Sequence, residues 1–181
     1  MSRFFALLVV LVAAPLSAQT AQSPCPTGPA LAASVASQSD AMPGMAMASA
    51  GVQVDSARHE IRVTAGPFRV AAMAHETGDM TMMDTPVLRV AWPVAGWVRG
   101  YSVKLCDGDA AKGALLPQAM VHHVGLANYS RRELLYPMVE RLMAVGKETP
   151  GVLLPGGVGV PLDKGDTLGL YSAFHDVDGK T

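Results

Sequence analysis

The chain has 181 residues and a formal net charge of −1, and only 16% of its residues are charged, so it lacks the concentrated basic face of a nucleic-acid-binding protein. Half of the residues are hydrophobic, which is enough to bury a sizeable core in one domain with additional segments. The sequence has no G-x-S-x-G, P-loop, C-x-x-C or H-E-x-x-H motif, which argues against the hydrolase, NTPase, dithiol and zinc-protease classes that depend on them.

The N-terminus has the pattern of a secretory signal peptide. Arg3 precedes an apolar run over residues 4–14 that is short for a membrane span, and small residues follow it. The pattern predicts a signal peptide over residues 1–18, cleaved after Ala18. The mature protein is then exported, periplasmic or secreted, with no membrane segment after cleavage. An uncleaved anchor is the alternative.

The next segment, residues 19–51, has a low-complexity composition rich in Ala, Pro and Met. It contains no aromatic residue and is predicted to be a disordered linker. Cys25 lies in this linker, and Cys106 ends a strand-like run of the following domain. An exported compartment permits a disulfide, but the sequence leaves the pairing of these two cysteines open.

Residues 52–181 have the sequence pattern of an all-β domain. Apolar and polar residues alternate in short runs separated by Gly and Pro, which predicts a jelly roll or β-sandwich. Ile61, Val63 and Ala65 share one face of a strand. Trp92 and Trp97 are interpreted as core or edge anchors rather than as a ligand-stacking platform.

A short helical insertion is predicted at residues 131–145. Ser130 and Glu133 have capping-box spacing, Pro137 can open a further helical turn, and Gly146 can end it. Near the C-terminus, "DVDGK" over residues 176–180 is typical of a turn that precedes a returning strand. We therefore expect a C-terminally incomplete domain that lacks its last strand or strands.

Two adjacent histidines, His122 and His123, stand in the strand-like stretch "MVHHVGLANYS". Neighbouring side chains of a regular strand point to opposite faces, so both imidazoles reach one metal ion only if the strand is bulged or the site lies at its rim. Imidazole is a common ligand of zinc and copper, and His175 is the candidate third ligand. The alternative is a half-buried His123 beside Val121 and a solvent-facing or hydrogen-bonded His122.

Methionines are numerous, and several are clustered. Thioether sulfur is a soft ligand that suits Cu(I), and in an oxidising compartment it is not lost to a disulfide. The alternative is that these methionines are filler in Ala-rich sequence. The additional candidate metal ligands are Met42, Met45 and Met47 in the linker, and His75, Met80, Met82 and Met83 in "HETGDMTMMD".

Three stretches, "AWPVAGWVRGYSVKLCDGD", "LPQAMVHHVGLANYSRREL" and "LPGGVGVPLDKGDTLGLYSAFHDV", resemble the jelly-roll modules of copper type II, ascorbate-dependent monooxygenases of the peptidylglycine α-hydroxylating kind. They are more similar still to single-domain bacterial secreted relatives of that fold. The resemblance covers residues 52–181. It implies a jelly roll with a copper site, in which His122 and His123 are ligands and His175 is a candidate third.

The chain also departs from that family. The enzymes use two jelly rolls, and their second copper site needs a His-x-His pair and a Met, whereas this sequence has the length of one domain and no His-x-His. The resemblance thus implies the fold and a copper site without implying the hydroxylation.

Three functions remain open after the sequence alone. The first is an exported copper-binding β-sandwich for metal handling or for redox support of a periplasmic or secreted protein partner. The second is a copper-dependent monooxygenase-like enzyme that acts with a second domain or chain. The third is a structural or interaction β-sandwich with no metal.

Overall fold

The computed structural model describes residues 3–12, 25, 49–70, 83–85, 87–108 and 114–175. In these ranges the regular structure is β-strand apart from one 3-10 turn at Gln118–Met120, so the predicted all-β fold class is confirmed. No helix in this part of the chain is long and apolar enough to cross a membrane. The predicted turn at residues 176–180 lies outside the described residues.

The strands of the described residues are numbered in chain order. They are β1 (Arg3–Val12), β2 (Ser49–Asp55), β3 (Glu60–Val70), β4 (Met83–Asp84), β5 (Leu88–Ala91), β6 (Gly96–Val98), β7 (Gly100–Asp107), β8 (Val121–Arg132), β9 (Val139–Gly146), β10 (Gly151–Leu153), β11 (Val160–Leu162) and β12 (Thr167–Phe174).

These strands form two larger antiparallel sheets and one small one. The first sheet has the order β10-β7-β1-β3-β2. The second has the order β4-β12-β8-β9, and β5 lies beside β4 along the same edge of β12. The small sheet pairs β11 with β6. The second sheet positions the histidines, because β8 carries two of them and β12 leads into the third.

The two larger sheets face each other across one hydrophobic core. Alternate residues of β3 and β7 pack against β5, β8 and β12, and the predicted inward face of Ile61, Val63 and Ala65 is buried. The rings of Phe68 and Phe174 meet across the core at 5.9 Å between centroids. The domain is therefore a β-sandwich, while the jelly-roll connectivity stays a prediction.

A buried hydrogen bond also joins the two sheets. The Tyr101 hydroxyl on β7 donates to the carbonyl oxygen of Val124 on β8 over 2.8 Å. Burial, and then the neighbouring Tyr171, raise the pKa of Tyr101, so this phenol stays protonated and remains a donor. The bond ties the histidine-bearing strand to the opposite sheet.

Strand β1 falls inside the segment predicted to be a signal peptide. It lies in the interior of the first sheet, between β3 and β7, from Arg3 opposite Val70 to Val12 opposite Glu60. A run of ten residues rich in Leu, Val and Phe suits a strand flanked on both sides. Cleavage after Ala18 concerns processing of the chain and stays a prediction.

Cys25 and Cys106 form a disulfide with their Cα atoms 5.7 Å apart. Both cysteines are buried, and the bridge attaches a residue of the predicted linker to the end of β7. The pairing that the sequence left open is thus made in the structure. At its other end the predicted linker meets β2, which begins at Ser49.

The helical insertion predicted at residues 131–145 is wrong. β8 runs on through Arg132, residues 134–138 form bends, and β9 returns as a strand beside β8. The side chains interpreted as a capping box bond elsewhere: Ser130 Oγ accepts from the Thr167 amide at 2.9 Å, and Glu133 Oε1 accepts from the Arg141 amide at 3.0 Å. Sheet pairing overrides the local capping pattern, because only as a strand does this segment pair along β8.

Candidate metal centre

A β-bulge lies at the two adjacent histidines. Along the β8–β12 pair, Ala173 is opposite His123, but Phe174 is opposite Val121, so His122 is an extra residue on β8. Residues three apart on a regular strand face opposite sides, yet Val121 and Val124 are both 0% exposed, with the half-buried histidines between them. Of the two arrangements that would let both imidazoles reach one ion, a bulge or a rim position, the structure shows a bulge, and metal binding itself stays a prediction.

Close backbone contacts surround the bulge. A Cβ atom on Gly146 of β9 would lie only 2.9 Å from the carbonyl oxygen of His122, so this position accepts glycine alone without movement. The Gln118 side chain donates to the Gly146 carbonyl at 3.1 Å. The His175 amide donates to the Met120 carbonyl at 2.8 Å. These contacts hold the start of β8 and the end of β12 in a defined position.

The three predicted histidines form one cluster. His175, which directly follows β12, is 9% exposed, and its Nε2 lies 2.9 Å from Nδ1 of His122. The ring centroids are 4.7 Å apart for this pair and 5.1 Å apart for His122 and His123. The ring of His123 also lies 6.0 Å from that of Tyr171. The bulge therefore brings both adjacent imidazoles to the end of β12.

These separations can be compared with those of imidazoles that share one ion. With metal–nitrogen distances of about 2.0–2.1 Å, tetrahedral coordination places ligand nitrogens about 3.3 Å apart and ring centroids about 5.2 Å apart. The centroid separations of 4.7 and 5.1 Å lie near that value, and the nitrogen pair at 2.9 Å is somewhat closer. Ligand spacing would require the two nitrogens to separate by about 0.4 Å.

The described residues nevertheless do not form a finished coordination sphere. Among them, no group of three or more His, Cys, Asp or Glu side chains stands in an arrangement that could hold a metal ion. The histidines lie close together, with one nitrogen pair occupied by a shared hydrogen bond. Metal binding would have to replace that shared proton and turn His123 toward the pair.

One buried nitrogen of the cluster has no partner in the described part of the chain. Whichever ring donates in the bond between His122 and His175, Nδ1 of His175 is buried without a hydrogen-bond partner there. A buried polar atom left unsatisfied costs about 1–3 kcal/mol, and such atoms often mark a functional site or an ion position.

The electrostatic surroundings of His175 favour its neutral form. Burial lowers the pKa of His175, and the positive charges that His122 and Lys147 can carry lower it further. A metal ligand must be the neutral imidazole, so these surroundings favour the form that binds an ion.

Only one of the predicted methionine ligands lies in the described part of the chain. The backbone of Met83 begins β4 and is opposite Phe174, the residue before His175. The backbone of Met83 therefore lies at the same end of β12 as the histidines. The other additional candidates, His75, Met80, Met82, Met42, Met45 and Met47, lie outside the described residues.

Sequence reasoning missed a second polar group, at the opposite end of β8. Asn128 is fully buried and donates to Asp166 Oδ2 at 2.9 Å, and the Asp163 amide donates to the same oxygen at 3.1 Å. Arg131 lies 3.4 Å from Asp166 and 2.8 Å from Asp163. The hydrogen bond from the Asp163 amide lowers the pKa of Asp166 most, and Asn128 and Arg131 lower that pKa further, whereas burial raises it. The turn sequence "DKGD" at residues 163–166 is the sequence feature that could have indicated this group. The group fixes the end of β8 to the turn between β11 and β12.

No protein-family model, curated protein or solved structure matches the chain.

Proposed function

We propose that the protein is an exported copper-binding β-sandwich that handles the metal or supports the redox chemistry of a partner protein. His122, His123 and His175 hold the ion. The observation that carries the proposal is the bulge at His122, which places two adjacent imidazoles beside a third from the end of β12.

Copper is favoured over other ions by the chemistry of the surroundings. Neutral imidazoles suit both zinc and copper, whereas thioethers suit Cu(I), and the Met83 backbone lies beside the end of β12. The two cysteines of the chain are joined to each other, so no thiolate competes as a ligand. A disulfide is also typical of exported proteins, in the compartment that the signal-peptide pattern predicts.

The chain's own residues have defined tasks in this proposal. His175 offers a buried neutral imidazole, Gly146 lets the backbone of His122 approach β9, and Tyr101 fixes β8 through the Val124 carbonyl. Bound copper supplies a centre that alternates between two oxidation states, which suits electron supply to a partner.

The test is a copper titration of the full chain against a competing chelator of known affinity. The wild type is expected to bind one equivalent, and His122→Ala/His123→Ala is expected to lose it. His59→Ala is the matched control, because His59 is an exposed histidine in the β2–β3 turn, away from the cluster. Unchanged binding by the folded double variant would remove this site. A wild type that binds no copper would leave the structural or interaction function.

A further inference from the structure

A cleft of about 440 Å³ lies at the end of the sandwich opposite the histidines. It opens between the β2–β3 turn and residues 92–98. Trp92 directly follows Ala91, which pairs with Thr167 at the start of β12, whereas His175 follows the end of the same strand. The cleft is therefore separate from the proposed metal site, and its volume lies in the range of small-molecule sites.

One side of the cleft is an apolar surface built around an exposed indole. Trp92 is buried and forms part of the floor, while Trp97 is 65% exposed on the wall, beside the half-exposed Val54 and Val94. Trp97 lies on β6, opposite Pro161 of β11, so its backbone is held by sheet pairing. A large indole left in solvent on a fixed strand is a surface suited to stacking.

The opposite rim is polar and rigid. Asp55 Oδ1 accepts from the Ala57 and Arg58 amides at 3.1 Å each, which fixes the β2–β3 turn. His59 closes the turn with φ at +53°, a left-handed conformation that glycine adopts at lower cost, yet this position carries an imidazole. Glu60 follows it at the start of β3, and both residues line the cleft together with Ser56.

We propose that this cleft binds a neutral carbohydrate of one or two pyranose rings. A pyranose has an apolar C–H face, which suits Trp97, and a hydroxyl edge, which suits Ser56, His59 and Glu60. Arg58 lies 3.6 Å from Asp55 and offsets part of its negative charge, while Glu60 supplies a carboxylate that can accept hydrogen bonds from sugar hydroxyls. A single ammonium headgroup would also fill only part of a volume of about 440 Å³.

The test measures binding of cellobiose, maltose and N,N′-diacetylchitobiose to the full chain by saturation-transfer NMR and calorimetry. At least one disaccharide is expected to bind saturably, and Trp97→Ala is expected to weaken it by about tenfold or more, as for a central aromatic contact. Tyr136→Ala, which removes another aromatic side chain that is 64% exposed and does not line the cleft, should leave binding unchanged.

Separate readouts distinguish a failure of this proposal from a failure of the proposed metal site. Trp97→Ala should keep the denaturant-unfolding midpoint of the wild type, which shows that the variant is folded, and should leave any copper binding unchanged. Glu60→Gln, which removes a negative charge with little change in size, should weaken sugar binding. The proposal is overturned if no disaccharide binds, if Trp97→Ala and Tyr136→Ala bind equally well, or if choline chloride binds where the sugars do not.

Discussion

Removing the disulfide with Cys25→Ala/Cys106→Ala should cost a large part of the stability of the domain. The bridge joins residues 81 positions apart. In the chain-entropy model, closing a loop of that length removes about 15 cal/mol/K from the unfolded chain, or about 4.5 kcal/mol at 25 °C. Stabilities of whole domains are about 5–15 kcal/mol, so the expected loss is a substantial fraction of the total.

Guanidinium unfolding followed by tryptophan fluorescence measures this loss. The oxidised wild type should unfold at the highest denaturant concentration, while the reduced wild type and the double variant should both be less stable by about 3–5 kcal/mol. Reductant should not affect the double variant, which serves as its own control. A loss below about 1 kcal/mol in both arms would refute the claim that the bridge constrains this chain.

Three further substitutions test the support of the two ends of β8. Gly146→Ala should displace the His122 carbonyl and lower copper affinity about 10–100-fold, as the loss of a residue that supports a metal site does. Gly51→Ala, where a Cβ atom meets open space, should leave copper affinity unchanged, and a competitive copper titration compares the two variants. Asp166→Asn should cost about 1.5–3 kcal/mol at neutral pH by denaturant unfolding. Because the pKa of Asp166 is lowered on folding, its stabilisation is present above the ordinary aspartate pKa and is lost as the pH falls below it, so the difference from wild type should narrow in acid. Tyr101→Phe should cost about 1–3 kcal/mol in the same assay, because the buried carbonyl on β8 loses its donor.

The alternation of buried and exposed residues along the strands was the part of the fold that local sequence predicted well. Alternation around Ile61, Val63 and Ala65 depends only on neighbouring residues, and their burial confirms it. The helix at residues 131–145 failed because a capping box is a local pattern, whereas this segment is set by the pairing of β8 with β9. Ser130 bonds to Thr167, 37 residues away, and Glu133 bonds to Arg141 across the β8–β9 hairpin.

The candidate site was predictable in part for a similar reason. Adjacent histidines in a strand-like run left a bulge, a rim position and two separately placed side chains open, since neighbouring side chains of a regular strand face opposite sides. The register with β12, which brings His175 within hydrogen-bond distance of His122, follows from sheet topology that no local pattern contains. The exposure of Trp97 on a cleft wall was missed for the same reason, because it depends on how β6 lies beside the β2–β3 turn.

The central claim is tested most directly by X-ray absorption at the copper edge of the loaded protein. If His122, His123 and His175 hold the ion, the spectrum shows the multiple scattering of three imidazoles at about 2.0 Å, and His175→Gln removes one of them. A spectrum without imidazole scattering, or one that is the same in wild type and His175→Gln, would contradict the account.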